Sequence, residues 1–351
     1  MSDEFQGLLA AGTFALSGLV PEGNKILTAR WIFKWKSDEN GNVTKAKARL
    51  VARGCGQDID PSDTFSPTPS ASTVRPPVRL ACKYEWELNH FDIEQAFVQL
   101  KLDSEVYMRL PPGCDTMTGK VARLNKSMYG LKQASRQFRK LLVSELERIG
   151  FEMCLSDTCV MRLLVGEELA GIVVIHVDDM LFGGTSDVGK VVAEALNDTL
   201  PTKHLGDLSW YMGSEFRRDR KAGTIEISQA SYIRSVLDKY NVSRKSPIPA
   251  SPRVDPRPVN EQEDAAGVPF REVVGSLLWI ANQTRPDISN AVRAVARHSH
   301  EPKDIHWDAA KKILNYLLAT AELSLKFSRE VGVDVRTEVY VDADYASKET
   351  D

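Results

Sequence analysis

The stretch Val173-Val174-Ile175-His176-Val177-Asp178-Asp179, resumed by Met180-Leu181-Phe182, decides how this chain reads. Branched aliphatic side chains suit a pleated, buried surface, so two apolar strands are expected over 169–177 and 180–182, joined across the two acids. A carboxylate beside such a run is costly to bury without a cation. One reading is a hairpin turn with two exposed aspartates, since Asp is common in turns. The other is a site that needs the charge.

Further out, Asp92 ends a second apolar-leaning strand, 88–93, far upstream but able to reach the first acids if the strands share a sheet. Three oxygen donors without His or Cys suit hard cations such as Mg²⁺. Two such ions, roughly 3.5–4 Å apart, can activate a 3′-hydroxyl and hold a leaving pyrophosphate. That is the constellation of a nucleotidyl transferase.

Charge patterning points the same way. The 351 residues sum to a net charge of −3, yet 25–53 holds eight Lys/Arg against Asp38 and Glu39, and 120–140 holds seven with no acid. Basic patches matter more for partner choice than the total. Residues 26–36 alternate Trp31, Phe33 and Trp35 with Arg30, Lys34 and Lys36, which reads as a strand with one buried face. Asn40-Gly41 is a hairpin signal, and the return strand, 43–53, sets Lys45, Lys47, Arg49 and Arg53 on one side.

Composition, 42% hydrophobic and 26% charged, excludes disordered and fibrous classes, and the length suggests about two domains. Five cysteines without a CxxC pair suggest a reducing intracellular compartment rather than a disulfide framework or a structural zinc site. No apolar run is long enough to span a bilayer, so no membrane partner is expected. The apolar stretch 5–20 follows Asp3 and Glu4 and reads as a folded element. Residues 60–77, rich in Pro, Ser and Thr, read as loop. Helices are expected over 78–87, 135–149, 188–200, 229–240, 270–283, 287–299 and 307–320.

Ordered motifs then carry a resemblance. Ala29-Arg30-Trp31-Ile32-Phe33-Lys34, Lys47-Ala48-Arg49-Leu50-Val51-Ala52-Arg53-Gly54, Thr64-Phe65-Ser66-Pro67 and Phe91-Asp92-Ile93-Glu94-Gln95-Ala96-Phe97 come first. Val106-Tyr107-Met108, Pro111-Pro112-Gly113, LNKSMYGLKQ (124–133), His176-Val177-Asp178-Asp179 and Leu205-Gly206-Asp207-Leu208 follow. Trp210-Tyr211-Met212-Gly213, Thr284-Arg285-Pro286-Asp287-Ile288 and His306-Trp307 complete the series. In this order they resemble the reverse transcriptase of copia-type LTR retrotransposons, a fragment of a Pol polyprotein with the start of an RNase H domain.

The resemblance implies an α+β right-hand polymerase: fingers, a palm with an antiparallel sheet, a thumb, a mixed α/β connection and a truncated RNase H-like start. The implied boundaries are a lead-in over 1–24, fingers and palm 25–215, thumb 216–247, a Pro-rich linker 248–269, connection 270–332 and RNase H start 333–351. The implied activity is RNA-directed DNA polymerisation from dNTPs on an RNA template with a DNA or RNA primer, using two Mg²⁺ ions or Mn²⁺. Asp92, Asp178 and Asp179 are then catalytic acids and metal ligands, the first two principally. Phe97 is a ring under the sugar that excludes a 2′-hydroxyl, or else a core Phe. Lys47 and Arg49 hold the triphosphate, or else line a solvated strand.

Gln133, with Gly130 and Lys132, belongs to a segment contacting dNTP and template, where Gly130 lets backbone approach the nascent base pair. Lys203 is a general acid for pyrophosphate, or a surface lysine. Trp210, Tyr211, Met212 and Gly213 form the primer grip, or pack as aromatics. Asp342 matches the first acid of RNase H, whose remaining acids the sequence lacks, so RNase H activity is not expected. Family habit implies cytoplasmic virus-like particles with later nuclear delivery. The chain departs from the family pattern at His176, Gln99-Leu100, Ser135 and Phe138. These departures support the alternative of a degenerate remnant that binds nucleic acid without polymerising.

Overall fold

The computed structural model of the protein describes residues 1–37, 43–250, 267–330, 332, 338–339 and 341. Helix α1 (Ser2–Ala10) and strand β1 (Phe14–Leu16) lead into the hairpin β2 (Ile26–Ser37) and β3 (Val43–Ala52). Helix α2 (Ala71–Tyr84) precedes β4 (Glu87–Ile93), β5 (Lys101–Arg109), β6 (Val121–Lys126) and α3 (Ala134–Arg148). Strands β7 (Glu152–Met153), β8 (Val160–Val165), β9 (Glu168–His176) and β10 (Asp179–Gly184) follow, then α4 (Ser186–Thr199) and β11 (Thr202–Asp207). The last elements are β12 (Trp210–Tyr211), β13 (Ser214–Asp219), β14 (Thr224–Ser228), α5 (Ala230–Lys239), α6 (Phe270–Gln283), α7 (Ser289–Ala296), α8 (Asp304–Ala319) and β15 (Leu325–Ser328).

These strands form three sheets, ordered β1-β6-β5-β2-β3, β11-β4-β10-β9-β8-β7 and β12-β13-β14-β15. The fold is α+β, as expected. The middle sheet is antiparallel throughout its described pairs. One of its faces sends Phe91, Ile93, Val173, Ile175, Met180 and Phe182 into a core shared with Phe138, Leu142 and Leu146 of α3 and Val192 and Leu196 of α4. The α3 residues recur every fourth position, which puts them on one helical face. Leu88, Ile172, Val174 and Leu181 on the opposite face pack with Val74, Val78 and Ala81 of α2 and with Tyr211 and Phe216. Because both faces are covered, β9 reads as a continuous aliphatic run rather than an alternating one.

Several expectations are corrected. Helix α2 begins at Ala71, not residue 78: Ser70 and Thr73 cap each other's backbone N–H groups, and this reciprocal cap starts the helix despite Pro76 and Pro77 within it. The β2–β3 ribbon has a buried face only near its base. Trp31 packs against the core while Phe33 and Trp35 are 67% and 68% exposed. The segments expected as thumb and connection do not divide into separate cores. Ile233, Val236 and Leu237 of α5 share one cluster with α6, α7 and α8, and β14 pairs with β15 from the far end of the chain. Asn40-Gly41, residues 251–266 of the linker and Asp342 lie outside the described residues. Among the described residues no helix is long and apolar enough to cross a membrane.

Candidate active site

Strands β4 and β10 are neighbours, with Asp92 directly opposite Asp179. The register continues on both sides, Lys203 of β11 opposite Asp92 and His176 of β9 opposite Asp179. Residues directly opposite on adjacent strands project from the same face, so Lys203, Asp92, Asp179 and His176 form one row across the sheet. Asp178 lies in the two-residue connection between β9 and β10, and its carbonyl accepts from the Ile93 N–H at 3.0 Å, tying the turn to β4. Val177 beside it has φ 58°. A β-branched residue in that region is strained, and such strain gathers where function over-determines the backbone.

Burial pushes the Asp178 carboxyl up; its own backbone N–H partly offsets this, Asp179 and Asp92 push it further, and Arg49 opposes them. Arg49 belongs to the other sheet, its guanidinium carbon 4.6 Å from the centre of the Tyr129 ring. The Tyr129 hydroxyl is likewise pushed up by burial and lowered by Arg49, and it feels both Asp178 and Asp92. Tyr129 and His90 are the side chains that sequence reasoning missed. His90 was findable: it stands two residues before Asp92 on a strand, hence on the same face. Its Nε2 lies 3.2 Å from Oδ1 of Asp179.

The other expected residues divide. Phe97 is 7% exposed, its ring edge-on to Tyr129 at 4.7 Å and to Phe138 at 6.1 Å. It lies next to the site but within the core. Gln133 is 4% exposed, and its Oε1 accepts from Gln57 Nε2 at 3.1 Å. Gln57 in turn accepts from the Lys132 N–H and, through its carbonyl, from Lys132 Nζ, both at 2.9 Å. This segment therefore clamps the stretch after β3 to the start of α3. At Gly130 (φ 93°) a Cβ would sit 2.0 Å from the Ala52 carbonyl oxygen. The close approach that requires glycine in the folded chain is to its own backbone.

Lys203 is exposed, salt-bridged to Glu94, and held above its ordinary pKa first by that contact, which makes it a weaker proton donor. Lys47 and Arg49 stand on β3 opposite Lys34 and Ile32. In the 210–213 hairpin, Met212 (φ 47°) and Gly213 (φ 74°) make the turn. Trp210 is half exposed, and Tyr211, 2% exposed, sets its ring edge-on to His90 at 5.8 Å and His176 at 6.4 Å.

Asp92, Asp178 and Asp179 supply only oxygen donors, the chemistry of a hard cation. Among the described residues no three His, Cys, Asp or Glu side chains stand close enough to hold an ion by themselves. That is compatible with Mg²⁺, which keeps water ligands and binds through one or two carboxylates plus substrate phosphates rather than in an all-protein cage. The donor set fits the ion.

Fold and site together define an α+β protein with a carboxylate centre at the turn of an antiparallel sheet and a basic β-ribbon in the neighbouring sheet. The family profile described as reverse transcriptase (RNA-dependent DNA polymerase) matches residues 13–252, and the chain belongs to that family. It is 34% identical over 99% of its length to the retrovirus-related Pol polyprotein from transposon TNT 1-94 of Nicotiana tabacum, covering 27% of it. Against the polyprotein from transposon RE2 of Arabidopsis thaliana it is 32% identical over its full length, covering 24%. The resemblance to copia-type elements is thereby borne out, and the chain spans about a quarter of the length of these curated relatives. A foamy viral protease-reverse transcriptase solved with double-stranded DNA aligns over 92% of this chain and 47% of its own, with TM-score 0.49 and 10% identity.

Proposed function

We propose that this chain is the polymerising part of a retrotransposon polyprotein, an RNA-directed DNA polymerase that extends a DNA or RNA primer with dNTPs on an RNA template. The observation that carries the reading is the register of Asp92 against Asp179 with Asp178 in the adjoining turn. In this reading the middle sheet is the palm and the β2–β3 ribbon belongs to the fingers. Asp92 and Asp178, with Asp179, would hold divalent ions, Mg²⁺ or Mn²⁺, whose charge acidifies the primer 3′-hydroxyl and offsets that on the leaving pyrophosphate.

The remaining work falls to the chain's own groups. Arg49, fixed over Tyr129, and Lys47 present positive charge to the triphosphate from the fingers side, and such preorganised charge lowers the barrier where negative charge develops. Phe97 braces Tyr129 and limits the space for a 2′-hydroxyl. The 210–213 hairpin seats the primer end, with Tyr211 as its anchor. On the ribbon, Phe33 and Trp35 share one face with Ala46 and Ala48, while Arg30, Lys34, Lys45, Lys47 and Arg49 alternate to the other. The ribbon thus offers exposed rings on one face and a row of cations on the other, and base stacking and phosphate contact are the two elements of single-strand binding.

Primer extension on poly(rA)/oligo(dT) with Mg²⁺ or Mn²⁺ tests the proposal. Asp178→Asn is expected to abolish extension while duplex affinity stays within about three-fold, since phosphate contacts dominate affinity. Equal loss of both would make Asp178 structural. Binding by the unaltered chain without extension would favour the degenerate-remnant alternative.

A further inference from the structure

His90 joins two parts of the site that the sequence keeps far apart. On one side its Nε2 meets Oδ1 of Asp179 at 3.2 Å; on the other its ring receives the edge of Tyr211, at 5.8 Å and 84°. Its side chain is 14% exposed against 39% for Asp179, so the contact is sheltered from the protein side and open on the acid side. A carboxylate oxygen is an acceptor and a ring N–H a donor, so the pair is matched for a hydrogen bond from Nε2. Tyr211 is held independently, its hydroxyl 3.4 Å from the Val174 carbonyl. A chain of contacts thus runs from the 210–213 hairpin through the half-buried His90 ring to one oxygen of one acid.

We propose that His90 is a positioning residue for Asp179, fixing the orientation of that carboxylate and linking it to the seat of the 210–213 hairpin. The register creates the need. Like charges directly opposite on paired strands repel, and Asp92 faces Asp179. A lysine at residue 90 would relieve the repulsion by cancelling charge that a divalent ion requires. A ring nitrogen at residue 90 instead contacts a single oxygen of Asp179, at 3.2 Å, and so fixes the orientation of the carboxylate. The metal-centred part of this inference rests on the polymerase reading given above.

The test uses the full chain and two variants. His90→Phe keeps a ring against Tyr211 and removes the donor; His90→Gln returns a donor at similar reach. The first readout needs no turnover: binding of Mn²⁺ alone, followed by the electron spin resonance of the free ion. His90→Phe is expected to weaken Mn²⁺ binding by roughly ten-fold, the scale of a hydrogen bond to a charged group, and His90→Gln to recover most of it. The second is primer extension against Mg²⁺ concentration, where His90→Phe raises the half-saturating Mg²⁺ by a similar factor with primer–template affinity unchanged. Circular dichroism melting checks folding; if His90→Phe does not fold, His90→Gln decides, with near-native Mn²⁺ binding required. The proposal is overturned if folded His90→Phe binds Mn²⁺ like the unaltered chain, or if folded His90→Gln loses as much as His90→Phe. If the unaltered chain does not extend primers, the polymerase reading fails alone, and the Mn²⁺ measurement still decides on His90.

Discussion

Gly130→Ala is expected to be the most damaging small substitution where the turn before α3 crosses the end of β3. A Cβ at residue 130 would lie 2.0 Å from the Ala52 carbonyl oxygen and 2.6 Å from Val51 Cγ1, at a backbone φ of 93°. The positive φ alone costs an L-residue about 1–2 kcal/mol. The overlap cannot be relieved by turning a side chain, because the obstructing atom is backbone. Ala52 is moreover pinned by its own N–H to the Tyr129 carbonyl at 2.9 Å, and Gly54 N–H to the Gly130 carbonyl at 3.1 Å. Separating the strands forfeits both bonds at about 1 kcal/mol each. The total is about 3–4 kcal/mol, a large fraction of the roughly 5–15 kcal/mol that holds a typical domain folded. Urea unfolding followed by tryptophan fluorescence measures it. Gly18→Ala, where a Cβ meets nothing within 4 Å, serves as the control and should change stability by less than about 0.5 kcal/mol. A Gly130→Ala loss below about 1 kcal/mol would mean that the two segments do not cross as closely as described. Arg49 lies three residues before Ala52, so a surviving variant should also show a raised KM for dNTP.

Two further substitutions probe separate parts of the chain. Phe97→Ala should admit ribonucleotides into primer extension and also lower stability by about 3 kcal/mol, because the ring is packed against Tyr129 and Phe138; unchanged sugar discrimination with the stability loss present would return Phe97 to a core role alone. In the α6–α8 unit, burial by itself would raise the Asp287 carboxyl, but hydrogen bonds from Arg285 and Tyr316 outweigh it and hold the pKa below its ordinary value. A depressed carboxylate stabilises above its unfolded pKa and loses that contribution as pH falls through the folded one, so stability should decline as pH drops below about 4. Asp287→Asn should flatten that part of the pH curve, and an unchanged acid limb in thermal melts would refute the assignment.

What could be read from the sequence is what local chemistry dictates. The β9–β10 hairpin announces itself because burial on both faces forces an unbroken aliphatic run, while the two acids at its turn could by themselves equally have been exposed turn residues. Helix α3 is legible from Phe138, Leu142 and Leu146 at helical spacing. Helix α2 is misread because prolines suggest loop, whereas the cap at Ser70 and Thr73 and the packing of Val74 and Val78 decide the matter. Phe33 and Trp35 follow the period of a half-buried strand, yet no second layer covers them, and alternation cannot say whether a layer exists. The shared core of α5 with α6, α7 and α8 joins helices on either side of the Pro-rich segment, and β14 pairs with β15 about a hundred residues away. Nothing local encodes it.

The same distinction explains the site. Sequence placed three acids on two strands, but not the register between them, and register determines their electrostatics. With Asp92 opposite Asp179, neighbouring strands place Lys203 beside the first and His176 beside the second. Lys203 is drawn to Glu94, and Asp179 meets Nε2 of His90 at 3.2 Å. Arg49 opposes the upward push on Asp178, but burial, Asp179 and Asp92 prevail. The fold therefore buries Asp178 beside two other acids at a cost in stability that Arg49 offsets only in part. Structures retain such an arrangement where function uses it. In the proposed reaction the charge is met by divalent ions arriving with the nucleotide, and stripping them with EDTA should abolish extension while leaving the melting temperature of the free chain unchanged.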